Sequence, residues 1–215
     1  MITQISIAHM IWYLVPGLCT VAYILFPVAF LSPRVGKEIV TTLTPLGLLV
    51  LGVLFGFVID GLRMYRLRHD YDKCKSEFFR KLQSNIGTVL DPYYILSAIN
   101  DMAIKEDNGS ISLHHAIWIM HGNLAALSYA MSLVWIAISC YIGISYDNGE
   151  TVEFFLVRSN YYVGFSTALL LAACFYFLGH RMMRISAEDQ NTTNNMFLGF
   201  ATTHRVKIRE ILSLL

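Results

Sequence analysis

The chain has 215 residues, of which 55% are hydrophobic and 14% are charged, with a mean hydropathy of +0.52 and a formal net charge of +1. Soluble domains carry charges on about a quarter of their residues. The composition therefore excludes an ordinary soluble domain. Together with the patterns described below, it predicts an all-α, polytopic membrane protein with four transmembrane helices, a cytosolic helical hairpin and a C-terminal amphipathic helix.

Four apolar stretches are long enough to cross a hydrocarbon core of about 30 Å, which takes about 20 helical residues. They are Ile5 to Leu31, Ile39 to Leu62, Ala116 to Tyr146 and Tyr161 to Gly179. No Lys or Arg precedes the first stretch and no small-residue cleavage site follows it, so we interpret it as a retained span rather than a secretion signal. Its prolines predict kinks in the helix.

The cations are distributed unevenly along the chain. Eight of the sixteen Lys and Arg lie between the second and third spans, and five more follow the fourth. Lys and Arg hold short loops on the cytoplasmic side of a membrane. We therefore predict that both termini and the middle loop are cytoplasmic, and that the two short links between spans lie outside.

The middle loop has the pattern of a helical hairpin. Apolar residues recur at helical spacing from Leu67 to Leu82, and no Pro or Gly interrupts the chain from Leu62 to Ile86, so we expect the second span to continue as one helix to about Asn85. Asp91 and the following proline predict the start of a second helix. The resulting units are residues 1–62 (spans one and two), 63–112 (hairpin), 113–180 (spans three and four) and 181–215 (linker and tail).

The C-terminal segment divides into a polar stretch and a basic amphipathic helix. Residues 186–195, SAEDQNTTNN, predict a linker, whereas residues 196–215 place apolar side chains on one helical face and cations away from it. Such a helix lies on an anionic leaflet or docks in a groove. Because a hairpin of about fifty residues buries little surface alone, we predict that hairpin and tail dock a cytosolic protein partner through Phe78, Leu82, Phe197, Ile208, Ile211 and Leu212.

Small residues recur at every fourth position on three spans. In lipid, close backbone approach across small residues drives helix association. These stripes either hold one protomer together or form a subunit interface in a homo-oligomer. They consist of Gly52 and Gly56; Gly122, Ala126 and Ala130; and Gly164, Ala168 and Ala172.

Ionisable residues near the predicted inner surface are candidates for switching or sensing. Asp60 lies one turn beyond Gly56, where it pairs with Arg63, joins another subunit or responds to protons. Five histidines fall near the same level, among them His121 and His180, and imidazole titrates near physiological pH. Their spacing is not that of metal ligands, and we predict neither a metal site nor a cofactor.

A collar of arginines follows the second and fourth spans. Each cation gains about 1 kcal/mol beside an anionic leaflet, so we predict contact with the lipid bilayer. Acidic residues offset the cations of the middle loop, which disfavours direct nucleic-acid binding. The predicted contacts are Arg63, Arg66, Arg68, Arg181 and Arg184.

No catalytic motif is present: the chain has no GxSxG, no Walker loop and no HExxH. Of its four cysteines, none lies in an external link, which excludes an external disulfide framework. We expect no enzyme, but a homo-oligomeric membrane subunit that senses membrane state, or anchors and regulates a cytosolic partner. The alternative is an oligomeric ion channel or membrane-disrupting effector, with Asp60 and the entry TTLTP (41–45) beside the conduction path.

The layout resembles a known kind of bacterial protein. Four spans combined with the intracellular segments RMYRLRHDYDKCKSEFFRKL and HRVKIREILSLL look like the membrane subunits of anti-phage defence systems, such as the membrane component of the Kiwa system. The resemblance implies a bacterial inner membrane, a role in detecting envelope disturbance and a cytosolic partner that itself binds nucleic acid. It carries no functional residue to this chain.

Overall fold

The computed structural model describes residues 10–87, 91, 94–96, 98–99, 102–103, 110–145, 151–154 and 157–213. These residues are almost entirely helical. A π-helical turn, Met10–Leu14, leads into α1 (Val15–Leu31), and α2 (Pro33–Thr42) precedes α3 (Pro45–Ile86). The second half contains α4 (Ser110–Ser145), α5 (Tyr161–Thr203) and α6 (Arg205–Leu212).

The link between α4 and α5 contains a short β-hairpin. Strand β1 (Thr151–Phe154) pairs antiparallel with β2 (Val157–Asn160), with Thr151 opposite Asn160. The Asn160 side chain then accepts a hydrogen bond of 3.1 Å from the N–H of Tyr162 and caps α5. This hairpin is an exception to the predicted all-α fold.

Within the described residues, three helices are long and apolar enough to cross a membrane: Ile11–Leu31, α4 and α5. A fourth candidate is the bent pair Arg34–Thr42 and Pro45–Gly61, whose axes meet at 102°. The prediction of one helix from Ile39 to Leu62 is therefore wrong. Pro45 disfavours helical geometry in the residue before it, and Thr44 instead caps α3 by accepting a 3.1 Å hydrogen bond from the N–H of Gly47.

Two helices extend far beyond the apolar part of the chain. At 1.5 Å per residue, the 42 residues of α3 and the 43 of α5 measure about 63 and 65 Å, roughly twice the hydrocarbon thickness of a bilayer. The predicted helix to about Asn85 is confirmed from Pro45 onward. The predicted linker at 186–195 is wrong, because α5 runs through it without a break.

Buried side chains form two separate clusters. The first, which we call the span core, lies among the apolar helices and contains Phe30, Ile59, Leu127, Met131, Trp135, Ile138, Ile142, Ala168 and Ala172. The second, which we call the tail core, lies beyond them and contains Phe78, Leu82, Ile86, Ile95, Ala98, Ile99, Met102, Ala103, Ile111, Phe197, Ala201, Ile208 and Leu212.

Small residues bring α1 and α3 into backbone contact. A Cβ atom added at Gly17 would collide with the carbonyl oxygen of Gly52, and one added at Gly56 would collide with that of Tyr13. The predicted stripe on α3 thus packs within this chain, against a glycine that the sequence analysis did not single out.

The other two stripes differ in how much they pack. Gly164, Ala168 and Ala172 are all buried, and the Ser132 hydroxyl of α4 donates a 2.9 Å hydrogen bond to the carbonyl of Ala172. On α4, Gly122 is buried, Ala126 is half-buried and Ala130 is exposed. The α5 stripe therefore faces α4, while the α4 stripe turns from the core toward the surface.

The close crossing of α1 and α3 predicts the effect of one added methyl group. Gly17→Ala should destabilise the protein by about 2 kcal/mol or more, because overpacking a tight contact forces backbone shifts. Gly61→Ala is the matched control, since nothing lies within 4 Å of its added Cβ and alanine favours a helix. Thermal unfolding in detergent measures both. Equal melting temperatures for the two variants would contradict this contact.

Candidate functional site

Between the two cores, buried and half-buried polar side chains lie among apolar ones such as Trp118 and Ile119. The α4 residues His121 and Asn123 lie on the route from Ile111 of the tail core to Leu127 of the span core. On α5, Ser186, Asp189 and Thr193 lie between Ala172 and Phe197 of the same two cores. We call these five residues the polar layer.

An imidazole and a carboxylate join α4 to α5 in this layer. The Nδ1 atom of His121 lies 2.6 Å from Oδ2 of Asp189, with the two side chains 21% and 28% exposed. When the imidazole is protonated, this contact is a charge-assisted hydrogen bond, which is stronger than a neutral one. The pair thus adds a polar contact between α4 and α5 to the packing of the apolar side chains around it.

Two further hydrogen bonds in the layer end on backbone carbonyls. The Asn123 side chain, which is fully buried, donates from Nδ2 to the carbonyl of Trp12 at 3.4 Å. The Ser186 hydroxyl donates to the carbonyl of Trp118 at 3.2 Å. Through these contacts the layer ties the N-terminal π-helix and α5 to the same part of α4.

In the layer, Oδ1 of Asn123 and Oγ1 of Thr193 are buried with no hydrogen-bond partner among the described residues, and so is Nε1 of Trp12 in the adjoining π-helical turn. Each unsatisfied buried group costs about 1–3 kcal/mol. The span core holds a comparable group, Nε1 of Trp135, so unsatisfied polar groups lower the stability of both regions.

The predicted switch residues occupy three different environments. His121 belongs to the polar layer, whereas His180 is exposed on α5 and Asp60 is half-buried on α3. Asp189 was missed because residues 186–195 were interpreted as a linker. In the described part of the chain no three His, Cys, Asp or Glu side chains converge as metal ligands would.

At the far end of the molecule, α6 packs across the C-terminus of α3. Nε of Arg209 donates to the carbonyl of Ile86 at 2.5 Å, and Nε of Arg205 to the same oxygen at 3.4 Å. The last carbonyls of a helix lack intrahelical partners and carry partial negative charge. We call these two residues the arginine cap, because they satisfy that charge with cations from the tail.

Gly87 makes the arginine cap possible. It ends α3 in the left-handed conformation, with φ at 71°, and its N–H donates to the carbonyl of Gln83 at 2.7 Å. A Cβ atom at this position would collide with the guanidinium of Arg209. Glycine therefore meets both the backbone and the packing requirement at this turn.

The residues predicted to dock a partner are largely used within the chain. Phe78, Leu82, Phe197, Ile208 and Leu212 are between 0% and 8% exposed in the tail core, whereas Ile211 remains 39% exposed. The tail does dock in a groove, as one alternative held, but the groove is formed by this chain. In this conformation these five side chains are covered by the chain itself, and docking of a protein partner stays a prediction.

The predicted arginine collar is described only in part. Arg181 and Arg184 are exposed on α5. The side chains of Arg63, Arg66 and Arg68 lie outside the described residues. The structure therefore describes only the two α5 side chains of the predicted collar, and their contact with lipid stays a prediction.

Comparison with known proteins identifies no matching family model, no similar curated protein and no similar solved structure.

The arginine cap predicts a specific sensitivity at Gly87. Gly87→Ala should destabilise the tail core by about 1–2 kcal/mol, the cost of left-handed backbone for a residue with a Cβ, and it should also weaken the docking of α6. Gly199→Ala is the matched control, because its added Cβ meets nothing within 4 Å. Hydrogen exchange at residues 205–212 reports the docking. Unchanged protection in Gly87→Ala would contradict the cap.

The imidazole–carboxylate contact predicts non-additive substitutions. His121→Ala and Asp189→Ala should each lower the free energy of unfolding, and the double variant should lose about 1 kcal/mol less than their sum, since each single change already removes the shared contact. Denaturation in detergent measures the cycle. Strict additivity would show that the two side chains do not interact in solution.

Proposed function

We propose that the chain is a non-enzymatic transducer in a bacterial inner membrane, which passes the state of the bilayer to its tail core and thereby regulates a soluble partner. One observation carries the proposal. The unbroken helix α5 contributes Ala172 to the span core, Asp189 to the polar layer and Phe197 to the tail core. A helix transmits axial displacement and rotation along its length, so movement in lipid reaches the tail.

The topology that serves this function has four spans, with both termini in the cytoplasm. The second span in chain order is Pro45–Gly61, whose 17 residues reach about 26 Å at helical rise, close to the hydrocarbon thickness. Helix α2, bent by 102° from it and bearing exposed Arg34, Lys37 and Glu38, lies along the outer interface. The cation distribution supports this orientation.

In this proposal, α4 and α5 shift relative to each other at the polar layer. Bilayers of different thickness or tension change the preferred tilt of helices whose apolar length no longer matches them. The relative movement of α4 and α5 is opposed at the polar layer by His121, Asp189 and Ser186, and the unsatisfied groups there lower that opposition. A change in lipid then repositions Phe197 and Ala201 against the tail core.

Release of α6 creates the surface for a partner. Detachment of the arginine cap would uncover Ile208 and Leu212 on α6 together with Phe78 and Leu82 on α3. Four of the six residues predicted from the sequence as docking sites are uncovered in this way, and Ile211 is exposed already. The resemblance of the layout to anti-phage membrane subunits supports a partner of this kind in a defence system, and the small-residue face at Ala130 supports assembly into a homo-oligomer.

The channel alternative has weaker support. Three hydroxyls follow one face of α4, at Ser128, Ser132 and Ser139, but all three are buried and donate to backbone carbonyls within 2.9 Å. These three hydroxyls take part in helix packing, so they do not form a polar face along which water could pass.

A labelling experiment tests the transducer. In a chain whose four native cysteines are replaced with alanine, Leu212→Cys should react with a water-soluble maleimide far more slowly than Ser213→Cys, because Leu212 is 6% exposed and its neighbour is exposed. In vesicles of short-chain lipid the reaction at Leu212→Cys should accelerate about tenfold, as release easier by about 1.4 kcal/mol would produce.

Interrupting α5 provides the control. Asn191 is exposed, so Asn191→Ala should preserve the acceleration, whereas Asn191→Pro should abolish it, because proline breaks a helix interior at a cost of about 3 kcal/mol. The same labelling rate in thin, matched and thick bilayers for the uninterrupted chain would overturn the proposed function.

A further inference from the structure

A cationic hollow lies on α5 where its apolar stretch ends. The described residues that line it are Phe177, His180, Arg181, Arg184, Ile185 and Glu188. The stretch from Tyr161 to Gly179 contains no charged residue, and the first cations of the helix follow it directly. In a bilayer, this boundary between apolar and charged sequence marks the level of the lipid headgroups.

The hollow faces away from the rest of the protein. Phe177, Arg181, Arg184 and Glu188 are spaced by four, three and four residues, which places them on one side of a helix. All four are exposed, whereas Ser186 is buried and Asp189 turns inward to His121. The hollow is thus open to whatever surrounds α5, and in the span above it that surrounding is lipid.

The hollow carries an excess of positive charge. Arg181 and Arg184 form no hydrogen bond or ion pair with another side chain in the part of the chain that the structure describes, and Glu188 is the only acid among the lining residues. By contrast, the cations of the arginine cap are bound to a helix C-terminus. The excess positive charge favours an anion.

The chemistry of the lining favours one kind of anion. Guanidinium groups bind phosphate oxygens through paired N–H donors, and exposed Phe177, at 69%, offers an apolar surface on the bilayer side of the same hollow. A free phosphate would make no contact with that apolar surface. An anionic phospholipid has a phosphate and an acyl chain arranged in the same order as the arginines and Phe177.

We propose that the cationic hollow is a binding site for an anionic phospholipid, with the headgroup phosphate held by Arg181 and Arg184 and an acyl chain along Phe177. The inference rests on the bilayer placement in the proposed function and deepens it by naming a lipid class that reaches α5 directly. Glu188 limits the affinity, because its carboxylate lies at the edge of the phosphate position.

Native mass spectrometry of the full chain in detergent, with phosphatidylglycerol and phosphatidylcholine added in equal amounts, tests the site. The wild type should retain phosphatidylglycerol preferentially. The double variant R181A/R184A should lose that preference by about 30-fold, the equivalent of two cations at about 1 kcal/mol each. Glu188→Gln should strengthen retention, which tests the site with a variant that leaves the cations and the helix unaltered.

The matched control removes the same charge elsewhere. Arg34→Ala combined with Lys37→Ala changes two exposed cations of α2 and should leave the preference intact. Equal retention of the two lipids by the wild type, equal loss in the control, or weaker retention in Glu188→Gln would each overturn the proposal. Displacement of the lipid by millimolar inorganic phosphate would also overturn it, by showing a site for the free anion.

The maleimide experiment separates this proposal from the proposed function. Lipid preference without any thickness-dependent labelling would contradict the proposed transducer function but not the lipid site. Thickness-dependent labelling without lipid preference would contradict the lipid site but not the transducer function.

Discussion

The continuity of α5 is the constraint on which the molecule depends. Backbone hydrogen bonds run without a break from Tyr161 to Thr203, over a length about twice that of a bilayer's hydrocarbon core. A loop at 186–195 would leave the two cores free of each other, so that the ends of the chain would respond to their surroundings independently. With the helix intact, a rotation that Ala172 undergoes in the span core is imposed on Phe197 in the tail core.

In the proposed topology the span core lies in lipid and the tail core in water, so different interactions stabilise them. In lipid, apolar side chains gain little by contacting one another, so the span core depends on close approach at Gly17, Gly52 and Gly56 and on the hydroxyl of Ser132. In water, burial of apolar area stabilises directly, and the tail core uses large side chains such as Leu82, Ile95 and Ile208. In the proposed topology the polar layer lies at the boundary between lipid and water, where neither form of stabilisation is at full strength.

In the proposed function, α6 with its arginine cap is the component of the tail core that is released. Helix α6 has only eight residues, too few to be stable alone in water. Its order depends on burial of Ile208 and Leu212 and on the contacts of Arg205 and Arg209 with the end of α3. An element that is folded only while docked is suited to report displacement of the surface on which it docks.

Many of the helices could be predicted from the sequence, but the contacts that connect the two cores could not. The spacing from Leu67 to Leu82, free of Pro and Gly, predicted the extension of α3. The stretch 186–195 was misread because Asn and Thr are typical of loops, yet Ser186, Thr193, Phe197 and Ala201 continue one helical face. That period was the available signal for Asp189. The partner of Gly52 and the contacts of the tail had no local signal, because they depend on residues far apart in the chain.

Hydrogen exchange of residues 186–195, measured in lipid nanodiscs, tests the central claim most directly. The account predicts that these amides exchange at least about a hundredfold more slowly than an unstructured chain, since opening them requires local unfolding of a packed helix. Exchange at the rate of an unstructured chain would show that α5 ends near the bilayer surface. The two cores would then be uncoupled, and the relay through α5 would be contradicted.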